Sequence, residues 1–466
     1  MLRPWQLRPD RRRIGVGGRT TRRDRRTRAN KATTRQRDKD EHGGTAIGCQ
    51  RAGRGMNVRA NEIGFTEEFP PTRAAALARL TAVQPADYSR NRNAIDGAVT
   101  RLSPYITHGM LTVPDVLAVV SARHRLDVQH KLVFELGWRE YFRHVWTHRG
   151  DGILQSLHAG PLPEEAYHRE LPLDVRRAET GVPAIDQAVR GLYDSGWLHN
   201  HGRLWLASYL VHVRKQHWRT GADWMLAHLL DGDLASNHLG WQWVAGTSSA
   251  KPYLFNADNV ARYAPSTWHS PGTVVDTSYD ALDMLARSPV AYGPERPSTG
   301  PGEPVDEPDF LHAPVPELGF APPCADMVAG RDVWLLHPWA LRPPPDDLPA
   351  GTVVVGLCLQ HWHQAWPWTR ARWQFVARAM ATLTRERWFG STHDVALALR
   401  NAKSVQTVAD PHLGPALARL ALRRPAPALF AEIDRPCNSF SQWWTAVTRG
   451  MGTVQQLPGL ARLAGR

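Results

Sequence analysis

The sequence predicts a mostly α protein with a small C-terminal α/β unit. Three observations carry that expectation. From Tyr88 to about Ala264 apolar residues recur three and four apart, and eight tryptophans fall between Trp138 and Trp243. That is the pattern of packed amphipathic helices. Residues 289–328 are dense in Pro and Gly (SPVAYGPERPSTGPGEPVDEP), a composition that reads as a linker. Beyond it, DVWLLHPWAL and TVVVGLCLQH are short β-rich runs followed by the amphipathic ARWQFVARAMATLTRERW. Strand, strand and helix in that order suggest an α/β unit.

These signals divide the chain into a basic tail at 1–55, a helical domain at 56–288, the linker at 289–328, the α/β unit at 329–450 and a short tail at 451–466. A chain of 466 residues has room for two cores. Within the helical domain TRAAALARLTAV predicts a first helix, and SFSQWW near the end adds an aromatic cluster. No internal repeat is visible, and the α/β unit has no Gly-rich phosphate loop.

Charge bounds the function classes. The net charge is +13, but residues 1–55 hold 17 Lys and Arg against 5 Asp and Glu, so the rest of the chain is close to neutral. A nucleic-acid site in the folded part must therefore be a local patch. The tail reads as disordered: either a non-specific nucleic-acid arm, or an untranslated stretch ahead of a start at Met56. It is too rich in arginine, and lacks the apolar core, to be a secretory signal. No apolar run approaches the ~20 residues that span a bilayer, so no membrane partner is expected. Cys49, Cys324, Cys358 and Cys437 lie far apart with no CxxC pair. This argues against a metal site or a disulfide framework and points to a reducing cytoplasm.

Two helical stretches align polar and aromatic groups. In KLVFELGWREYFRH, Glu135, Trp138, Arg139 and Phe142 fall at i, i+3, i+4 and i+7, on one face. A carboxylate and a guanidinium on a buried face are costly unless they meet something polar. In DGDLASNHLGWQW, Asp233, Asn237 and Trp241 repeat every four residues, with Asp231 just before and Trp243 just after. Either stretch alone also fits a helix packing its tryptophans into a core with the acids as caps.

Together these segments resemble the FAD-binding domain of DNA photolyases and cryptochromes. The resemblance runs through TRLSPY (100–105), ELGWREYF (135–142), GVPAIDQAVRGLYDSGWLHN (181–200), HWRTGADWMLAHLLDGDLASNHLGWQW (217–243) and KPYLFNADNVARY (251–263). It implies a helical photolyase-type fold with FAD as cofactor. By the same resemblance Tyr88, Thr100, Arg101, Leu102 and Ser103 match positions that hold the FAD phosphates and ribose. Hydroxyls, backbone N–H groups and a guanidinium suit that task. Arg139 matches a further flavin contact, Arg203 and Asp231 an ion pair beside the ring, and Asp233 a ribose or flavin-edge contact. Asn237 matches the residue facing flavin N5; light-sensing members carry a different residue there, so it leans toward repair.

The resemblance also implies a substrate pocket in damaged DNA. Trp138 and Trp243 match the tryptophans that sandwich a flipped-out pyrimidine dimer, and Glu135 and Asn200 match groups that hydrogen-bond its carbonyls. Flipping is required because a stacked base cannot reach the cofactor, and aromatic faces recover part of the lost stacking. Asn200 and Leu204 stand where (6-4)-photoproduct enzymes have histidines, which implies the cyclobutane-dimer type. Trp241 and Trp218 match the first two members of an electron-transfer chain. No tryptophan lies between Trp146 and Trp197, so its end is either Tyr167 or Trp218 itself.

The chain departs from the family pattern in three places. His201 replaces an arginine expected to grip the DNA backbone, losing a permanent charge. Leu204 stands where dimer-repairing members often have methionine, a volume-conserving change. Only about 30 residues separate Met56 from Tyr88, where the family has an α/β antenna domain. The C-terminal unit resembles a displaced version of that domain, through VWLLHPWALRP and VVVGLCLQHWHQAWPW, and the sequence leaves a second, antenna chromophore open. Three functions stand at this point: light-driven repair of cyclobutane pyrimidine dimers, a cryptochrome-like photoreceptor acting on a protein partner, and a flavin-binding paralogue with neither activity. The sequence sets no oligomeric state.

Overall fold

A computed structural model describes residues 68–294 and 303–464. The basic tail and the proposed start at Met56 lie outside them. The expected first helix is α1 (Arg73–Thr81), followed by α2 (Pro85–Asn91), α3 (Ser103–Thr107), α4 (Val113–Ser121) and α5 (Lys131–Arg149). Next come α6 (Leu173–Arg176), α7 (Pro183–Ser195), α8 (Asn200–Ser208), α9 (Trp218–His228), α10 (Leu234–Ala245), α11 (Ala257–Tyr263) and α12 (Tyr279–Ala286). Local chemistry sets several of these boundaries. Thr112 and Asp115 form a reciprocal capping box at the start of α4. Asp233 caps α10 by accepting from the Ser236 N–H at 2.9 Å, and Gly246 ends it at φ 75°, a conformation glycine adopts without penalty.

Residues 303–328, within the expected linker, hold no regular element longer than three residues, among them β1 (Phe310–Leu311). They are nevertheless pinned to the helices. Glu307 accepts from the Trp224 indole at 2.7 Å and pairs with Arg176.

The expected α/β unit is present. Its strands are β2 (Asp332–Leu336), β3 (Val353–Leu359), β5 (Glu386–Gly390), β6 (Ser404–Val408) and β7 (Leu422–Arg424); β4 (Trp368–Thr369) pairs with β1 instead. The helices here are α13 (Gln360–Ala365), α14 (Arg370–Ala381), α15 (Thr392–Leu399), α16 (Gly414–Leu420), α17 (Phe440–Val447) and α18 (Pro458–Ala464). The sheet runs β5-β3-β2-β6-β7, parallel throughout. Its central strands are almost wholly buried, as parallel sheets covered on both faces require. Strand order reverses between β2 and β6, and the crevice at the carboxyl ends of such a pair is where doubly wound folds hold ligands.

The two parts share a core. Leu117, Leu226 and Leu234 of the helical part lie in one buried cluster with Val355, Trp373 and Phe375 of the α/β part. The described residues accordingly belong to one compact unit. Residues 451–464, expected as a tail, close that core with Leu457 and Leu460. Among the described residues no helix is long and apolar enough to cross a membrane.

Candidate flavin site

The loop between α9 and α10 is the centre of the site. Asp231 and Asp233 flank Gly232, and both carboxylates are buried, 6% and 1% exposed. Burying two carboxylates two residues apart is costly unless cations meet them. Arg203 of α8 supplies one, its Nη2 lying 2.7 Å from Asp231 Oδ2. Its Nε donates to the Leu198 carbonyl at 2.9 Å, which fixes the guanidinium. Arg143 and Arg139, one turn apart on α5, approach Asp233 at 3.2 and 3.5 Å. Burial works against the Asp233 charge, but Arg139, Arg143 and the polarity of His412 outweigh it and hold the carboxyl well below the usual range. Arg139 also donates to Thr107 Oγ1 at 3.0 Å, and Thr107 donates to the Asp231 backbone carbonyl at 3.1 Å. Arg139, Arg203, Asp231 and Asp233 are thus one connected network.

Asn237 stands one turn along α10 from Asp233. Its Nδ2 donates to the Ala222 carbonyl of α9 at 2.8 Å, while its Oδ1 accepts no hydrogen bond among the described residues. Trp241, one turn further, packs against Gly221; a Cβ there would fall 2.3 Å from the indole ring. Only glycine admits that approach. Gly221 is one turn from Trp218, so the fold places Trp241 and Trp218 on neighbouring turns of α10 and α9.

The loop before α3 forms a second polar group. Arg101 sits at φ 49°, the left-handed region that non-glycine residues rarely adopt. Its guanidinium lies 4.9 Å over the Trp197 ring and pairs with Glu68. Ser103 Oγ accepts from the Trp197 indole at 3.0 Å, the Thr100 hydroxyl accepts from the Leu102 N–H at 3.4 Å, and Leu102 is buried. Tyr88 is half-buried beneath Arg92.

The expected substrate residues are more dispersed. Glu135, 40% exposed, pairs with Arg92 at 3.4 Å. Asn200 is exposed at the start of α8. Trp243 is 37% exposed and rests on Tyr253 at 5.4 Å. Trp138 is half-buried and lies parallel to Phe440 of α17 at 4.0 Å and 10°. Among the described residues no ring contact joins Trp138 to Trp243. Tyr167 and Trp218 flank His217, at 6.4 and 5.7 Å between ring centroids. His201 is turned inward: it stacks on Trp205 at 5.4 Å and 4° and bonds the Asn93 carbonyl. Burial holds it below its ordinary pKa and so toward the neutral form.

Several residues of the site were not expected from the sequence. Arg143 repeats Arg139 at i+4, and that spacing was a readable signal. Asp410 and His412, which follow β6, carried none. Asp410 accepts from Arg143 at 3.1 Å and from His412 Nδ1 at 2.6 Å. His412 Nε2 accepts from the Leu234 N–H at 3.2 Å, which fixes the neutral tautomer with its proton on Nδ1. The α/β unit therefore helps to cap α10. Above this network, at the carboxyl ends of β2 and β6, lies a cleft of about 810 Å³ lined by Arg139, Arg143, Trp339, Asp410, Arg423 and Phe430, among others.

The donor set fits FAD. A buried carboxylate–guanidinium network beside an amide with an unpaired oxygen suits the hydrogen-bonding edge of a flavin ring, and the hydroxyls and Arg101 before α3 suit its phosphates. Fold and site define a helical flavin-binding domain joined to a doubly wound α/β unit. Residues 132–267 match the family described as the FAD binding domain of DNA photolyase. The deoxyribodipyrimidine photo-lyase of a Synechococcus species is 31% identical over 244 residues, 45% of this chain and 49% of that protein. A cryptochrome DASH of Idiomarina loihiensis is 29% identical over 200 residues, 41% of this chain and 44% of its own. A crystal structure of Synechocystis cryptochrome overlaps 41% of this chain and 43% of its own at 28% identity, with a TM-score of 0.38. The chain spans about half the length of the curated photo-lyases it matches. Residues 132–267 are thus similar to the FAD-binding domain of the photolyase/cryptochrome family, and the cofactor is FAD.

Proposed function

We propose that the protein repairs cyclobutane pyrimidine dimers in DNA in the cytoplasm, using light and reduced FAD. The observation that carries the proposal is the arrangement on α10: Asp233, Asn237 and Trp241 share one face, and Trp243 reaches solvent at its end. One helix thus joins groups suited to the flavin to a surface indole suited to a base. Bound FAD supplies a light-absorbing one-electron donor. The remaining roles belong to the chain. Asp231, Asp233, Arg139 and Arg203 orient the ring; Tyr88, Thr100, Arg101, Leu102 and Ser103 hold its phosphates and ribose. Asn237 offers its amide at N5. Trp138 and Trp243 stack the extruded dimer, while Glu135 and Asn200 take its polar edge. Trp241 and Trp218 reload the flavin with electrons, the chain ending at Tyr167 or at Trp218 itself. The cleft between β2 and β6 is the natural seat of a second, antenna chromophore, since it lies at the switch point of the sheet.

A photoreceptor that signals to a protein partner is the second reading. The inward turn of His201 favours it, because a neutral, stacked imidazole gives no grip on phosphate. Binding in the dark separates the two. The repair reading expects the FAD-loaded protein to prefer an oligonucleotide with one cyclobutane thymine dimer over its undamaged twin, and Trp138→Ala to abolish the preference. Equal affinity for both would favour the photoreceptor.

A further inference from the structure

Trp218, at the start of α9, is 3% exposed, and its indole N–H does not end in the core. Nε1 donates to Ser156 Oγ at 3.0 Å. Ser156 Oγ in turn donates to Glu164 Oε1 at 2.7 Å. A hydroxyl has a single hydrogen, and since this oxygen accepts from the indole, its own hydrogen points to the carboxylate. The two bonds therefore run in one direction, from the ring outward. Glu164 is 52% exposed and lies at a small cavity of about 280 Å³ that Ser156, Tyr167, His217 and Trp218 also line. The Ser156 hydrogen bond, against some burial and with help from His217 and Arg169, holds the Glu164 carboxyl below its ordinary range, so it stands ionised. A buried indole usually finds one acceptor. A second link to an ionised, solvent-facing carboxylate exceeds what satisfying the N–H requires.

We infer that Ser156 and Glu164 form a proton exit for Trp218, coupled to its oxidation. The inference rests on the reading of Trp241 and Trp218 as an electron-transfer chain. The oxidant is the photoexcited flavin, reached through Trp241. When Trp218 gives an electron to oxidised Trp241, its ring carries a positive charge and the N–H becomes acidic. The N–H bond breaks and its proton goes to Ser156 Oγ, while the proton of Ser156 passes to Glu164 Oε1. The products are a neutral Trp218 radical, an intact Ser156 hydroxyl and a neutral Glu164 carboxyl, with the electron on the flavin. Return of that electron to Trp218 then requires the proton as well, so the separated charges last longer.

Laser-flash spectroscopy of the FAD-loaded full chain tests this in both visible and infrared. In the wild type the tryptophan cation band gives way to the neutral-radical band, more slowly in D₂O, as a protonated carboxyl band rises. Glu164→Gln removes that infrared band and, like Ser156→Ala, lengthens the cation lifetime at least about tenfold, the scale of losing a hydrogen bond to a charged group. Glu164→Asp restores part of the conversion, which a merely structural role would not do. Conversion at the wild-type rate in both Glu164→Gln and Ser156→Ala overturns the relay while leaving the electron chain intact. Absence of any tryptophan radical in the wild type overturns the electron chain, and the relay with it.

Discussion

Arg372 of α14 donates through Nη2 to the carbonyl of Gly232 at 2.6 Å, although 140 residues separate them. Nη1 reaches the Leu226 carbonyl at 3.0 Å, and the side chain is 1% exposed. Gly232 lies between Asp231 and Asp233, so a residue of the α/β unit sets the loop of the candidate flavin site. A Cβ on Gly232 would fall 2.4 Å from Arg372 Nη1; the loop and the guanidinium are fitted to each other. Burial draws the Arg372 pKa down to about 9, with Asp231 and Asp233 opposing the fall, so it stays charged at neutral pH.

Replacing Arg372 by Met keeps most of the volume but leaves two carbonyls without their charged donor. The expected loss is about 3 kcal/mol of stability, read as a lower denaturant midpoint, together with weaker retention of FAD on dilution. A variant that unfolds earlier yet holds FAD as firmly as the wild type would show that the loop keeps its shape alone.

The contact of Trp241 with Gly221 gives a second expectation. Gly221→Ala forces the indole away from α9, at a cost of about 1–3 kcal/mol for overpacking. Flavin photoreduction should slow markedly while bound FAD is retained, and Trp241→Phe should give the same photochemical defect. Unchanged photoreduction in Trp241→Phe would remove Trp241 from the chain.

Phe440 supports one face of Trp138. Phe440→Ala withdraws a parallel ring contact of the kind that contributes about 0.5–1.5 kcal/mol. Affinity for a dimer-containing oligonucleotide should fall up to about tenfold, measured by fluorescence anisotropy in the dark, with no change in the flavin spectrum.

Glu140 gives a pH dependence. Both oxygens accept backbone N–H groups, from Leu429 at 2.7 Å and Phe430 at 3.0 Å, but burial outweighs these bonds and the nearby arginines and pushes its carboxyl up to about 7. A folded pKa above the unfolded value means the native state binds more protons in between. Stability is then greatest below the unfolded pKa and is lost as pH rises from about 4.5 toward 7. The Tm of the wild type should fall across that window relative to Glu140→Gln; parallel curves would contradict it.

Much of this was legible in the sequence because it is local. The capping acid, the amide and the indole of α10 lie four residues apart, and the β-rich runs after residue 330 are read from their composition. The network that joins the two parts was not legible. Arg372, Asp410, His412 and Phe440 each act on residues between 140 and about 300 positions away, and no periodicity encodes such a meeting. Glu307 was hidden for another reason. Its Pro- and Gly-rich surroundings announce the lack of a core, yet a single carboxylate suffices to pin such a segment through Trp224 and Arg176.

Light-driven DNA repair at this site, as proposed, is open to direct measurement. The most direct measurement mixes the photoreduced, FAD-loaded protein with an oligonucleotide carrying one cyclobutane thymine dimer and follows thymine absorbance under blue light and in the dark. Recovery of absorbance is expected only in the light, strongly reduced in Trp138→Ala and in Glu135→Ala with the flavin spectrum intact. Bound, photoreducible FAD with no recovery and no preference for the dimer would contradict it.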